Sequence, residues 1–134
     1  MKQHISNIAL VVSDYDEAIQ FYTEKLNFTL IEDTKLSDTK RWVRVAPPGE
    51  IGGCCLLLAK AANDEQNNRI GNQTGGRVFL FLNTDDFERD YKKLKTHDIK
   101  IVREPVHEKW GTVAVFEDLY GNMWDLIGFP SGSY

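Results

Sequence analysis

An internal repeat limits what this chain can fold into more than any other feature. Each half of the sequence shows a buried strand, an amphipathic helix and three further strands, in that order. The closing strands align at a constant offset of 68 residues, Gly53–Leu58 with Gly121–Leu126. A repeat of this length is too long for a solenoid unit. We therefore expect an α+β fold of two tandem βαβββ modules, with curved mixed sheets around a cleft and helices on the outside.

Eight short apolar runs bounded by turn residues are predicted as strands. They are Ile8–Val12, Phe28–Glu32, Arg41–Ala46, Cys54–Ala59, Arg77–Leu82, Ile99–Arg103, Thr112–Phe116 and Met123–Ile127. The polar segment 61–75 has no periodicity and is interpreted as a surface linker with one helical turn. We expect residues 1–134 to form a single domain, with module one at 4–60 and module two at 76–129.

Each module carries one helix between its first two strands. Asp14 is placed to cap the first helix, and Glu17 follows three residues later, as in a capping box. Asn27 is expected to end that helix in the left-handed conformation. The second helix has candidate caps in Thr84–Asp86 and His97 at its C-terminal end. The predicted apolar helix faces comprise Tyr15, Ala18, Ile19, Tyr22 and Leu26, and then Phe87, Tyr91 and Leu94.

Charge and composition exclude several kinds of partner. The formal net charge of -4 and the pI near 5.3 argue against binding to nucleic acid. No run reaches the ~18 apolar residues that a membrane helix needs. The adjacent Cys54 and Cys55 would point to opposite faces of a strand, so we predict free thiols in a reducing compartment. The chain is therefore expected in the cytoplasm, without a nucleic-acid or membrane partner.

Two segments carry a resemblance to a known family. Residues 8–28 read IALVVSDYDEAIQFYTEKLNF, and residues 117–126 read EDLYGNMWDL. Together they resemble the opening and closing signatures of the vicinal-oxygen-chelate superfamily of glyoxalases, bleomycin-resistance proteins and extradiol dioxygenases. Asn27 stands where that family usually has glycine. The resemblance implies a bacterial homodimer with a ligand cleft, which in many members holds a divalent metal through His and Glu.

The resemblance also places the family's metal-ligand positions on this chain. They fall on Asn7, on Leu57, on Arg77 or Phe79 depending on a gap, and on Asp125. One carboxylate thus remains of the three or four protein ligands that a catalytic transition metal needs. A guanidinium at Arg77 would also repel a cation. We therefore expect no metal cofactor, with His4 and Asp125 as the remaining candidate ligands; an exposed terminal histidine is the other interpretation of His4.

The predicted concave side still offers a site for a small molecule. His107 beside Trp110, in an expected loop, would contact the ligand, act as a general base, or be a solvated residue. Arg77 would pair with an acidic ligand or directly with Asp125, and both interpretations stay open. The candidate ligand-binding residues are Asn7, Trp42, Arg44, Arg77, Phe79, Asn83, His107, Trp110 and Asp125.

The favoured function is binding of a small, partly aromatic or anionic molecule by a glyoxalase/bleomycin-resistance-like homodimer, without the family's usual metal. The alternative is a metal-dependent lyase or isomerase, or an extradiol-type dioxygenase, of the same superfamily. In that case the metal would polarise a substrate oxygen as a Lewis acid. The residues by themselves leave open whether the chain is an enzyme.

Overall fold

A computed structural model describes residues 1–50 and 52–130 of the chain. The chain divides into two compact units, Met1–Ile70 and Gly71–Tyr134. Each unit holds one four-stranded mixed sheet, with its main helix between the first and second strands. The predicted α+β fold of two tandem βαβββ modules is therefore confirmed, whereas the single-domain assignment stays a prediction. None of the helices in the described ranges is long and apolar enough to span a bilayer.

The first sheet has the strand order β1-β4-β3-β2. Its strands are β1 (Asn7–Val12), β2 (Thr29–Lys35), β3 (Arg41–Ala46) and β4 (Cys55–Lys60). Strands β1 and β4 run parallel, and the other neighbours are antiparallel. A short helix, α2 (Asp64–Asn67), follows β4 and supplies the helical turn expected in the linker.

The first helix, α1 (Tyr15–Gln20), continues into a π-helical segment, Phe21–Lys25. As predicted, the Asp14 side chain accepts a hydrogen bond from the Glu17 amide at 2.8 Å. Asn27 has a φ of 60°, which confirms the left-handed residue after the helix. Phe21 is buried beside Tyr22 although α-helical spacing did not predict it, because the π-helical segment widens the turn.

The second sheet repeats the topology, in the order β5-β8-β7-β6. Its elements are β5 (Leu80–Thr84), α3 (Phe87–Thr96), β6 (Ile101–Glu108), β7 (Gly111–Glu117) and β8 (Met123–Gly128). The prediction that β5 begins at Arg77 is wrong, since Arg77 precedes the strand. The prediction of a loop around His107 is also wrong, because β6 extends to Glu108 and pairs with β7.

The core of each unit lies between its sheet and its helix. Alternate residues of the first sheet, such as Leu10, Val43 and Leu58, are fully buried, and each contributes about 1.5–3 kcal/mol. In the second unit α3 packs directly against β8. A Cβ on Gly128 would lie 2.6 Å from Cβ of Phe87, so a larger residue there would push the helix away. The opposite side of each sheet carries both polar and apolar side chains.

Candidate functional site

Side chains on neighbouring strands share a face when they are paired in register. We call the side of the first sheet opposite its buried core face A, and the corresponding side of the second sheet face B. The register places Asn7, Ala9, Glu32, Thr34, Trp42, Arg44, Cys55 and Leu57 on face A. It places Phe81, Asn83, Arg103, Val113, Val115, Asp125 and Ile127 on face B.

Face A is organised by the guanidinium of Arg44. Its Nε donates to Oδ1 of Asn7 at 2.8 Å, and its Nη1 lies 3.5 Å from Oε1 of Glu32. Nη2 points to Sγ of Cys55 at 3.4 Å. These residues meet because Arg44 pairs with Glu32 on one side and with Leu57 on the other, while Asn7 pairs with Cys55. A fixed positive charge therefore occupies the place beside Asn7.

Trp42 adds an aromatic surface to face A. It lies two residues before Arg44 on β3, so the two side chains share a face, as the sequence predicted. The Trp42 side chain is half-buried and pairs in register with Thr34 on β2. The indole and the guanidinium together give face A one planar apolar surface and one cation.

Face B is organised by a carboxylate instead. Oδ1 of Asp125 is buried and has no hydrogen-bond partner among residues 1–50 and 52–130. Burial raises the pKa of Asp125, and the positive charge of Arg103 partly offsets this rise. Asp125 pairs in register with Phe81 and with Val115, and Arg103 pairs with Val115 from the next strand. Face B thus presents an acceptor with an aromatic neighbour and a cation further across the sheet.

A tight turn fixes where β8 begins and so where Asp125 lies. Oδ1 of Asp118 accepts hydrogen bonds from the amides of Tyr120 and Asn122, both at 2.9 Å, and Oδ2 accepts from the Asn122 side chain at 2.9 Å. Gly121 has a φ of 97°, which favours glycine. The acid, glycine and asparagine of the closing signature therefore build the β7–β8 turn.

The predicted site residues divide among several places. Asn7, Trp42 and Arg44 lie on face A, while Asn83 and Asp125 lie on face B. Phe79 continues the β5–β8 ladder, since its amide donates to the carbonyl of Met123 at 2.8 Å. Because Met123 is the repeat equivalent of Cys55, Phe79 rather than Arg77 is the counterpart of Asn7. Arg77 is exposed, and the cation that acts on Asp125 is Arg103.

Three other predicted residues are not placed on either face by the strand register. His107 pairs with Thr112, which alternates with the face B residue Val113, so the register turns it away from Asp125. Its Nδ1 lies 2.9 Å from the Thr112 hydroxyl. Trp110 lies in the β6–β7 turn with its ring centroid 6.1 Å from that of Phe129. His4 is exposed before β1.

Several residues that the structure brings to these faces were not selected by sequence reasoning, and four of them carry charge, a thiol or an aromatic ring. They are Glu32, Cys55, Phe81 and Arg103. Phe81 could have been found, because it lies midway between Phe79 and Asn83 in a strand of period two. Arg103 could not, because a register shift in β6 decides which of its residues face Asp125. The ligand-binding role of every residue in the set stays a prediction.

The donor set does not fit the family's divalent metal. Within the part of the chain that the structure describes, no group of three or more His, Cys, Asp or Glu side chains could hold a metal ion. At the positions that the resemblance assigns to ligands, the oxygen of Asn7 is bound by a guanidinium, and Leu57 and Phe79 carry hydrocarbon. Asp125 is a single carboxylate where three or four protein ligands are needed.

Comparison with known proteins gives the family of the chain. The model of the Glyoxalase/Bleomycin resistance protein/Dioxygenase superfamily matches residues 4–126. The chain belongs to this superfamily. A relative from Shewanella frigidimarina (strain NCIMB 400), described as an uncharacterized protein, is 63% identical over 128 residues, which cover 95% of this chain and 94% of the relative.

Solved structures agree with the superfamily assignment. The crystal structure of UcmS2 matches with a TM-score of 0.81 at 29% identity, covering 95% of this chain and 98% of UcmS2. TnmS3, an antibiotic binding protein from Streptomyces sp. CB03234, matches with a TM-score of 0.75 at 27% identity, covering 96% of this chain and 98% of TnmS3. The resemblance drawn from the two sequence signatures is thereby confirmed.

Proposed function

We propose that this member of the glyoxalase/bleomycin-resistance superfamily binds a small, partly aromatic or anionic molecule without a metal ion. The observation that carries the proposal is the Arg44 guanidinium, whose Nε lies 2.8 Å from the amide oxygen of Asn7. At that place a metal-dependent member would hold a cation. A guanidinium excludes a cation there and recognises carboxylate or phosphate groups instead.

Arg44 retains the capacity to bind such a group. A guanidinium has about five N–H groups, and its three contacts use one each on Nε, Nη1 and Nη2. The contact with Glu32 is long, and the contact with Cys55 is to sulfur, a weak acceptor. The Arg44 side chain also keeps 24% of its surface exposed. An acidic group of a ligand can therefore bind to the outer N–H groups while an aromatic ring of the same ligand packs on Trp42.

The comparison with TnmS3 supports binding rather than a particular reaction. That protein is an antibiotic binding protein, and it shares the fold and 27% of the sequence with this chain. We extend to this chain the general property of binding a small organic molecule. We also propose that the protein is a homodimer in the bacterial cytoplasm. Light scattering of the purified protein would test the homodimer through its molar mass.

Two measurements test the proposal. Tag-free protein is dialysed against nickel, zinc, manganese and iron salts, and its metal content is determined by plasma mass spectrometry. The metal-free protein is then titrated with naphthoate and with metal-free bleomycin in a calorimeter, with and without chelator. We expect no stoichiometric metal and chelator-independent binding of at least one probe. Retention of one metal per chain, or binding that the chelator abolishes, would overturn the proposal and favour the metal-dependent alternative.

Matched variants locate the site. Arg44→Gln is expected to weaken naphthoate binding about tenfold, because a charge-assisted bidentate contact is lost. Arg89→Gln is the control, since Arg89 lies on helix α3 and pairs with Asp85 and Asp90. Circular dichroism confirms that both variants fold. Equal affinities of the two variants would show that Arg44 does not bind the acid group.

A further inference from the structure

The unpaired oxygen of Asp125 marks a second binding element, on face B. Buried carboxylate oxygens in native proteins are nearly always hydrogen-bonded. Asp118, in the turn just before β8, follows this rule with three donors. Oδ1 of Asp125 is buried and has no partner within the described residues. An unmet acceptor in this position calls for a donor from outside the chain.

An aromatic side chain lies next to that acceptor. Phe81 pairs in register with Asp125 on the adjacent strand, and strands in a sheet lie about 4.8 Å apart. The Phe81 ring is 63% exposed, an unusually open position for a phenylalanine in a strand. Asn83 lies two residues further along the same face, also exposed. A ring packed on Phe81 would therefore carry a substituent within reach of Asp125.

The charges around Asp125 define which substituent fits. Arg103 is paired with Val115, the neighbour of Asp125, and its charge acts on the carboxylate. This guanidinium would repel a ligand ammonium, and the carboxylate itself would repel a ligand acid. An uncharged hydroxyl or N–H donor avoids both penalties and satisfies the buried oxygen.

We propose that Asp125 and Phe81 form a subsite on face B for an uncharged aromatic group bearing a hydroxyl or N–H donor. The donor bonds to Oδ1 of Asp125, and the ring packs against Phe81. This inference rests on the proposed function, metal-free binding of a small molecule, and adds the chemical class that face B selects. It gives Asp125 the role of a hydrogen-bond acceptor.

Three matched probes test the subsite by calorimetry on the full chain. They are β-naphthol, its methyl ether, which lacks the donor, and the corresponding naphthylmethylammonium, which carries a positive charge. We expect β-naphthol to bind at least about tenfold more tightly than either analogue. Equal affinity for β-naphthol and its ether would overturn the subsite, and so would preference for the ammonium.

Variants copied from module one provide matched controls. Asp125→Leu reproduces Leu57, the equivalent residue of the first sheet, and should remove the preference for β-naphthol over its ether. Phe81→Ala reproduces Ala9 and should weaken the binding of both β-naphthol and its ether about tenfold, because the ring contact is lost. Asp125→Ala, which also removes the acceptor, replaces Asp125→Leu if that variant does not fold. An unchanged preference in the Asp125 variants would contradict the assignment.

Two further outcomes separate this inference from the proposed function. Naphthoate or bleomycin binding without any β-naphthol preference overturns the subsite alone. Failure to bind any of these probes overturns both. If Phe81→Ala and Asp125→Leu instead change the molar mass in light scattering and leave β-naphthol binding intact, face B contacts a second copy of the chain and the subsite is wrong.

Discussion

Faces A and B carry different side chains on equivalent backbone positions. On face A the cross-strand series runs Glu32, Arg44, Leu57 and Ala9. On face B the same positions hold Arg103, Val115, Asp125 and Phe81. The outer strand carries the acid Glu32 in the first sheet and the base Arg103 in the second. The residue of opposite charge, Arg44, lies on the adjacent strand in the first sheet. In the second sheet the residue of opposite charge, Asp125, lies one strand further away.

The consequence of this change is that one face pairs its own charges and the other does not. Arg44 on face A reaches Asn7, Glu32 and Cys55. Oδ1 of Asp125 on face B is buried, has no hydrogen-bond partner in the part of the chain that the structure describes, and lies on the strand next to the exposed ring of Phe81. The two sheets thus share one strand order but differ in how far the charged groups of each face are paired within the described residues. The predictions below test that difference.

Removing Arg44 should have the largest effect. Arg44→Leu leaves Asn7 and Glu32 without their shared donor, so we expect the free energy of unfolding to fall by about 2 kcal/mol. Urea denaturation measures this. Arg103→Leu, which removes the exposed arginine of face B, is the control and should change stability by less than about 0.5 kcal/mol. Equal losses would show that the two faces do not differ in internal pairing.

Acid should destabilise the first unit through Asp33. The hydrogen bonds from Arg41, at 3.1 and 2.7 Å, hold the pKa of Asp33 below its usual range. A lowered folded-state pKa gives stability that is present above the unfolded pKa of about 3.9 and is lost as pH falls through the folded value. Asp33→Asn should therefore cost about 1 kcal/mol at neutral pH and flatten the acid side of the stability profile.

The control for this prediction is Asp38→Asn. Asp38 pairs with Lys35 at 3.5 Å, but its side chain is fully exposed, and such pairs contribute little. Urea midpoints measured from neutral pH downwards separate the two variants. An acid transition in Asp33→Asn that matches the unmodified chain would contradict the assignment.

The contribution of Asp125 to stability should depend on pH with the opposite sign. Burial raises its pKa, so the folded state favours the protonated carboxyl. This group stabilises the fold relatively more below its unfolded pKa and less as pH rises. We expect Asp125→Asn to raise the free energy of unfolding at neutral pH by roughly 0.5 kcal/mol while weakening β-naphthol binding. A loss of stability would show that Asp125 is paired internally.

Phe81→Ala should have the smallest effect on stability. The ring is 63% exposed, so its removal should change the free energy of unfolding by less than about 0.5 kcal/mol. Denaturation and calorimetry of the same preparation compare this small change with the loss of probe binding. A destabilisation as large as that of Arg44→Leu would assign the ring to the core and contradict the proposed subsite.

Local signals in the sequence predicted much of the fold. Strand β3 was predicted at its observed bounds, Arg41–Ala46, and the cap at Asp14 and the left-handed Asn27 were correct. Phe21 was missed because a π-helical segment breaks the 3.6-residue period. The start of β5 was misplaced at Arg77 because apolar character does not show where ladder hydrogen bonds begin.

The candidate site was predicted less well than the fold. Asn7, Trp42, Arg44 and Asp125 were selected from strand parity and from the family resemblance, and each lies on a face opposite a buried core. The cation that acts on Asp125 was not predicted: a pairing with Arg77 was one of two open interpretations, and the charge is that of Arg103. Predicting which arginine lies near Asp125 requires the register between strands that are distant in sequence.

The sequence by itself determined the repeat of two modules, the helix caps, and the side of β8 on which Asp125 lies. These follow from periods of 3.6 and 2 residues and from short-range hydrogen bonds, all of which act within a few residues. The tertiary structure decided that Arg44 meets Asn7, 37 residues away, and that Oδ1 of Asp125 meets no donor among the described residues. Cross-strand pairing joins distant residues, and neither periodicity nor propensity determines which residue lies across.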